Sequence, residues 1–308
     1  MKKFLINILF FSFITIICSE IYIRVNHLTI DIPRRTIDEN GIQKYVPLQN
    51  GYWSNGTHSW QINKEGWAGE LPSSFDNMVT LIGDSHIENF MNPDSCHLGA
   101  ILNRSNLKYN FFEAGRSGVT LIEAFEISKE LKKKYNPTKQ FLFIKNSDFN
   151  ESIAEFNRMN DVTQLDLSKN VVIKGELKSP FLKTILYNFK TLYYFRNTFT
   201  KRNEKTVVPI KKTNNLNDVE KKYYDKLMAF VSENYYTKDI VIFLHPNTDE
   251  YFKRLLIKYN FNFYQFKTKK TNDWAYAHND LSHWNCYGFH QAAKQVSVFL
   301  KSIPLNKK

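Results

Sequence analysis

A three-layer α/β domain built on a parallel sheet is predicted by three features of the sequence. From Met78 onward, short apolar runs alternate with stretches that carry a helical period. The segments between those runs are too long for hairpins and long enough for the right-handed crossovers that parallel pairing needs. Glycine and polar residues gather where several runs stop, at the strand ends where such sheets place their ligands.

The elements follow in order. Lys2 and Lys3 precede an apolar stretch over residues 4–23, interrupted by Asn7, Ser19 and Glu20. A basic start before an apolar run of that length reads as a signal sequence or a single membrane anchor. No small-x-small cleavage site follows, and Ile17 before Cys18 does not suit a lipoprotein signal. The expectation is therefore an uncleaved anchor over residues 1–23, with Lys2 and Lys3 inside and the rest exported. Residues 24–77 are rich in turn formers and tryptophan and read as short hairpins, a β-rich segment. Trp53, Trp60 and Trp67 are expected in its core, stacking on sugar rings being the alternative.

The main domain is expected over residues 78–308. Strands are predicted at "MVTLIG", "LKYNFFEAG", "KQFLFIK", "DIVIFLH" and "FNFYQF". Helices are predicted at "CHLGAILNR", "VTLIEAFEISKELKKKY", "TDEYFKRLLIKYN" and "CYGFHQAAKQVSVFLKS". Between the third and fourth strands lies an insertion at about residues 151–217. It holds an apolar-aromatic helix, "PFLKTILYNFKTLYYFRNTF", and a polar linker, "KRNEKTVVPIKKTNNLND". Apolar residues run nearly all round that helix, so burial against the main domain is expected. A lid, a partner surface or a membrane-facing element is the alternative for an insertion of such length.

Composition narrows the function classes. A net charge of +12 comes from lysines spread thinly among Asn, Phe and Tyr, which reads as a basic surface rather than a nucleic-acid site. Cys18, Cys96 and Cys286 are too few for a disulfide scaffold and lack metal-ligand spacing. They are expected to be unpaired and buried, a Cys96–Cys286 bridge being the alternative outside the cytoplasm. No phosphate-binding glycine loop is present, and no metal or cofactor is expected.

Three segments carry chemistry. "VTLIGDSHIENF" ends a strand on Gly83, Asp84 and Ser85 and runs straight into a helix-compatible stretch. Those are ordinary turn and N-cap residues, but a serine on a sharp strand-to-helix turn can also act as a nucleophile beside backbone N–H groups. Near the other end, "HNDLSHWNCYGFHQAA" sets Asp280 three residues before His283. On a loop or single turn, that spacing brings the carboxylate to the imidazole Nδ1–H and leaves Nε2 to take a serine proton. "FFEAGRSGVTL" ends a third strand on Gly115, whose N–H has no side chain to block an oxyanion. Rival bases are His278, which lacks the upstream acid, and His290, inside the last helix. His86 either meets substrate or begins a helix, and His245 belongs to a His-Pro turn.

"GDSH" at 83–86, "AGRSG" around Gly115 and "DLSHWN" from Asp280 resemble the first, second and Asp-x-x-His blocks of the SGNH or GDSL hydrolases. The resemblance covers about residues 78–302. It implies a flavodoxin-like five-stranded sheet, with Ser85 as nucleophile, His283 as base and Asp280 as its orienter. It also implies an oxyanion hole using the N–H groups of Ser85 and Gly115. The family's third block supplies an asparagine amide to that hole. Here the strand end reads "FLFIKNSDFNES", which aligns Ser147 with that position and puts Asn146 one residue earlier. Asp148 is expected to cap the following helix.

A hydroxyl nucleophile with an imidazole base predicts acyl transfer through a covalent intermediate. The expectation is a membrane-anchored, exported hydrolase that removes O-acyl groups, chiefly O-acetyl, from a cell-surface glycan, with envelope polysaccharide machinery as a further partner and no nucleic acid. An O-acetyltransferase with the same triad is the second reading. A non-catalytic subunit that binds glycan or a partner protein is the third, motivated by Asn146 and Ser147.

Overall fold

The computed structural model describes residues 1–105, 108–200, 216–277 and 280–302. Its first element is α1 (Lys2–Val25), a helix long and apolar enough to cross a membrane and with nearly all its side chains exposed. Two small antiparallel pairs follow, β1 (Arg35–Ile37) with β2 (Gln43–Tyr45) and β3 (Asn50–Tyr52) with β4 (Ser59–Gln61). Trp60 and Trp67 are fully buried, Trp60 with Tyr45 and Phe90, so these two form core rather than a sugar platform.

The main domain begins with β5 (Met78–Gly83), the four-residue α2 (Ser85–Glu88) and α3 (Leu98–Asn103). Then come β6 (Asn110–Gly115), α4 (Leu121–Tyr135), β7 (Lys139–Ile144) and α5 (Asn146–Glu151). Thr120 caps α4 by accepting from Glu123 N, and Asn136, left-handed at φ 48°, ends it before Pro137. The insertion supplies the hairpin β8 (Gln164–Asp166) and β9 (Val171–Ile173), then α6 (Pro180–Asn188) and α7 (Lys190–Thr200). The chain continues with α8 (Asp218–Asn234), β10 (Ile240–Leu244), α9 (Glu250–Lys258) and β11 (Phe263–Gln265). It ends with β12 (Ala275–Ala277), β13 (Asp280–Trp284) and α10 (Cys286–Ser302).

Five strands form one parallel sheet in the order β11-β10-β7-β5-β6. Because side chains alternate across a strand, the sheet carries two cores. Ile82, Phe112, Leu142 and Ile242 face α4, α8 and α9, while Leu81, Phe111, Phe141 and Phe243 face α3 and α10. All strands run the same way, so the ends of β5, β6, β7 and β10 form one rim, and Gly83 pairs in register with Gly115. The fold class is the predicted α/β arrangement with a five-stranded parallel sheet.

Four local expectations need correction. The helix expected over residues 180–199 is two helices that break at Phe189, whose φ and ψ are extended. That pair is not buried: its apolar side chains are largely exposed. Asp280 and His283 sit on a strand of the β12–β13 hairpin rather than on a loop or single turn. Cys96 and Cys286 form a disulfide, which ties the segment after β13 to the start of α3, and Cys18 is exposed. The rival base His278 and residues 201–215 of the polar linker lie outside the described residues.

Candidate active site

The rim of the sheet brings Ser85 and His283 together across 198 residues of sequence. Gly83 ends β5 where an added Cβ would lie 2.9 Å from Ile87 and 3.1 Å from Phe143, so the chain can turn there only without a side chain. Asp84 is the N-cap of α2 and accepts from His86 N at 3.0 Å. Ser85 is the first residue of that helix, and its Oγ lies 2.9 Å from His283 Nε2. On the other side of the ring, His283 Nδ1 lies 2.7 Å from Asp280 Oδ2, and His283 N donates to Asp280 Oδ1 at 3.2 Å. The carboxylate thus accepts the Nδ1–H hydrogen bond, the tautomer that leaves the Nε2 lone pair toward the serine hydroxyl. About a quarter of the His283 and Asp280 side chains remains exposed, so water reaches the pair.

Gly115 is required by packing. An added Cβ would stand 2.4 Å from Glu88 N, because α2 crosses the end of β6 at that point. Beyond it the chain is pinned by charge: Ser117 N donates to Glu88 Oε1 at 2.7 Å, and Arg116 forms a fully buried ion pair with Glu123 at 2.5 Å. Tyr45 of the β-rich segment also donates to Glu88, so that segment braces the helix carrying the serine.

The third strand end departs from a ready oxyanion donor. Asn146 Oδ1 accepts from Asp249 N at 3.0 Å and its Nδ2 lies 3.5 Å from Asn247 O, so the amide is engaged with the β10–α9 loop. Ser147 Oγ donates to Asp148 Oδ1 at 3.2 Å. Asp148, the third residue of α5, accepts from Lys145 N at 2.9 Å and so closes the first turn of that helix from inside, Lys145 itself holding the cap position.

Beneath the serine lies a buried cluster that sequence reasoning missed in part. Lys145 Nζ reaches Asp84 Oδ2 at 2.5 Å, and His86 Nδ1 lies 3.1 Å from Asp84 Oδ1. Burial alone would raise the Asp84 carboxyl, but the Lys145 ammonium and His86 outweigh it and hold it far below its ordinary value. Burial, then the Asp84 charge, pushes Asp148 well up. Burial lowers His86, and it lowers His245 to about 3. Trp284 Nε1 donates to His245 Nε2 at 3.1 Å, and the His86 ring packs against both Trp284 and His283. Asn92 Nδ2 donates to Trp284 O at 2.9 Å and so fixes the residue after the base. The only sequence signal for Lys145 is a charge closing the apolar run "FLFI". His290 is exposed on α10. Among the described residues no group of three or more His, Cys, Asp or Glu is arranged to hold a metal.

No family model matches the chain, and no curated protein matches it in sequence. Similar solved structures include a psychrotrophic esterase from Pseudoalteromonas sp., 13% identical, covering 74% of this chain and 100% of that one at a TM-score of 0.36. A lipase/acylhydrolase from Enterococcus faecalis is 11% identical, covering 75% and 98% at 0.39. A GDSL-like lipase from Bacteroides thetaiotaomicron is 10% identical, covering 75% and 92% at 0.30. These likenesses are remote, and the chemistry of the site rests on its own geometry.

Proposed function

We propose that the chain is a serine ester hydrolase of the SGNH type, and that its substrate is an O-acyl, chiefly O-acetyl, group on a cell-surface glycan. The observation that carries the hydrolase reading is the line from Asp280 through His283 to Ser85 Oγ. In this reading Ser85 Oγ attacks the ester carbonyl while His283 Nε2 takes its proton, and Asp280 stabilises the imidazolium. The N–H groups of Ser85 and Gly115 receive the oxyanion. His283 then returns the proton to the leaving alcohol, and water, activated by the same ring, clears the acyl-enzyme. The part-exposed dyad favours water over a second alcohol as the acceptor.

The glycan reading is supported by an apolar N-terminal helix and by a domain fit for the outside of a cell. The Cys96–Cys286 disulfide suits an oxidising compartment, and Lys2 and Lys3 before the apolar run favour their side as the cytoplasmic one. An envelope polysaccharide assembly would then be the natural partner.

The engaged side chains of Asn146 and Ser147 favour a second reading, a binding subunit whose oxyanion hole lacks its side-chain donor. A fluorophosphonate probe separates the two. The full chain should be labelled, and Ser85→Ala should not, with acetyl release from an O-acetylated polysaccharide lost in parallel. A folded wild-type chain that resists the probe points to the binding role. Measuring acetyl transfer to a sugar hydroxyl beside acetyl release tests the O-acetyltransferase reading.

A further inference from the structure

Most helices around the sheet are apolar inside and polar outside, but α6 and α7 are reversed. Phe181, Ile185 and Phe189 recur every four residues and are 73%, 36% and 55% exposed. Leu192, Phe195 and Phe199 form the matching stripe on α7 at 54%, 51% and 62%. In α8, by contrast, the outward positions are taken by Lys221, Lys222 and Asp225, while Leu227 and Val231 face the core. Water does not stabilise six large apolar side chains on two adjacent helices, and a patch of that kind marks a contact surface.

The other side of the pair is docked on α1. Glu20, the one acid in the apolar helix, accepts from Lys190 N at 3.0 Å and from Thr191 N at 2.8 Å, and so caps the N-terminus of α7. Thr191 Oγ1 donates to the same carboxylate at 2.9 Å. Arg24, which also pairs with Glu20, donates to Asn188 O at the end of α6. These contacts lie in the last turns of α1, where its apolar run meets the folded domain. A bilayer that covers α1 up to Ser19 therefore arrives at the first turn of α7. Beside α6, a groove of about 420 Å³ is lined by Arg34, Arg35, Lys178 and Lys183 against Asp161 and Glu176, an excess of cations that suits anionic headgroups.

We propose that α6 and α7 form a second membrane contact. Their apolar faces enter the outer edge of the bilayer, and α1 is retained as a structural partner that positions them. The occupant of the face is lipid, because the pair is joined to the last turns of α1, a helix long and apolar enough to cross a membrane and exposed along nearly its whole length. Removal of α1 as a cleaved signal would take away the cap of α7.

The test uses the full chain in vesicles containing anionic phospholipid, with Cys18→Ser as background. Nitroxides are placed singly at Phe181→Cys, Leu192→Cys and Phe195→Cys, with Lys222→Cys on α8 as an aqueous reference, and far-ultraviolet circular dichroism checks folding. The ratio of accessibility to oxygen over a water-soluble nickel chelate is expected to be about tenfold higher on α6 and α7 than at Lys222. An aqueous ratio overturns the proposal. So does exclusion of both reagents, which with spin–spin broadening means a second copy on the face, and without it means other protein.

Discussion

Two carboxylate–imidazole pairs stand side by side at the rim of the sheet, with ring centres 5.7 Å apart, and they are held in opposite ways. In the Asp280–His283 pair the histidine side chain is 24% exposed and its Nε2 meets a serine hydroxyl. In the Asp84–His86 pair the histidine is 6% exposed, its Nε2 has no hydrogen-bond partner among the described residues, and the carboxylate is also tied to Lys145. Identical chemistry thus suits the proposed base in one place and a brace in the other. What differs is whether the far nitrogen faces a reactive group, and whether water can solvate the imidazolium that forms. In the proposed mechanism, a His86 whose charged form is disfavoured by burial also spares His283 a neighbouring cation.

The widest separation between the pairs should appear in turnover. His283→Ala is expected to lower kcat/KM by roughly 10⁴–10⁶, the scale of removing one member of a catalytic triad. His86→Phe keeps the ring packing on Trp284 and His283 and is expected to cost about tenfold or less, through positioning. Steady-state kinetics on a soluble acetyl ester compares them. Equal losses would break the distinction and make the two pairs one relay.

In stability the ranking reverses. Lys145→Met leaves the Asp84 carboxylate buried without its cation, which costs about 3–5 kcal/mol when one partner of such a pair is removed. The double change Lys145→Met with Asp84→Asn removes both charges, so most of that loss should return. Urea denaturation of wild type, Lys145→Met, Asp84→Asn and the double variant measures the coupling, and additive losses would show that the ion pair does not hold the serine turn.

Much of this rim was legible in the sequence, and the reason is local. β5, β7 and β10 are apolar on both faces, which only a sheet covered by helices on both sides requires, and Asp280 and His283 are close enough in sequence to be read as a pair. What escaped depends on distant residues. Lys145 reads as the end of an apolar run until β5 and β7 pair and bring Asp84 beside it. The Cys96–Cys286 bridge joins residues 190 apart, and nothing near either one indicates the other. Helix α8 carries a regular core stripe at Tyr224, Leu227, Met228 and Val231, yet its polar approach hides where it starts; the start is set by Asn217 and Glu220 capping each other. The reversed face of α6 and α7 was misjudged because an apolar helix face reads the same whether protein or lipid covers it.

A third comparison uses pH. Burial lowers the folded-state pKa of His86, and takes that of His245 to about 3, below the ordinary 6.5. The unfolded chain therefore takes up these protons first, so stability falls as pH drops below about 6.5 and continues to fall toward the folded values. Between pH 7 and 4.5 the loss should be on the order of 1–3 kcal/mol. His86→Phe should flatten the slope by its own share, as read from urea midpoints at the two pH values. Asp84 acts lower down: its depressed folded value contributes stability above 3.8 that disappears as pH falls further. An unchanged slope in His86→Phe would mean that the ring binds its proton equally well folded and unfolded, so that burial does not shift it.

A last comparison is with Asp148, which shares the buried space of the bracing pair but is pushed the other way. Its raised pKa follows from burial and from the charge on Asp84. A carboxyl raised in the folded state favours folding while protonated and loses that contribution as pH rises through its folded value. Asp148→Asn keeps an acceptor for Lys145 N and removes the proton equilibrium. The variant should therefore match wild type in acid and become relatively more stable as pH rises from the ordinary carboxyl value toward the raised folded one. A variant that instead weakens with rising pH would show that Asp148 is ionised at neutral pH and shares Lys145 with Asp84. The brace under the serine would then be a lysine between two carboxylates, and its charge, rather than the burial of His86, would be what sets the two histidine pairs apart.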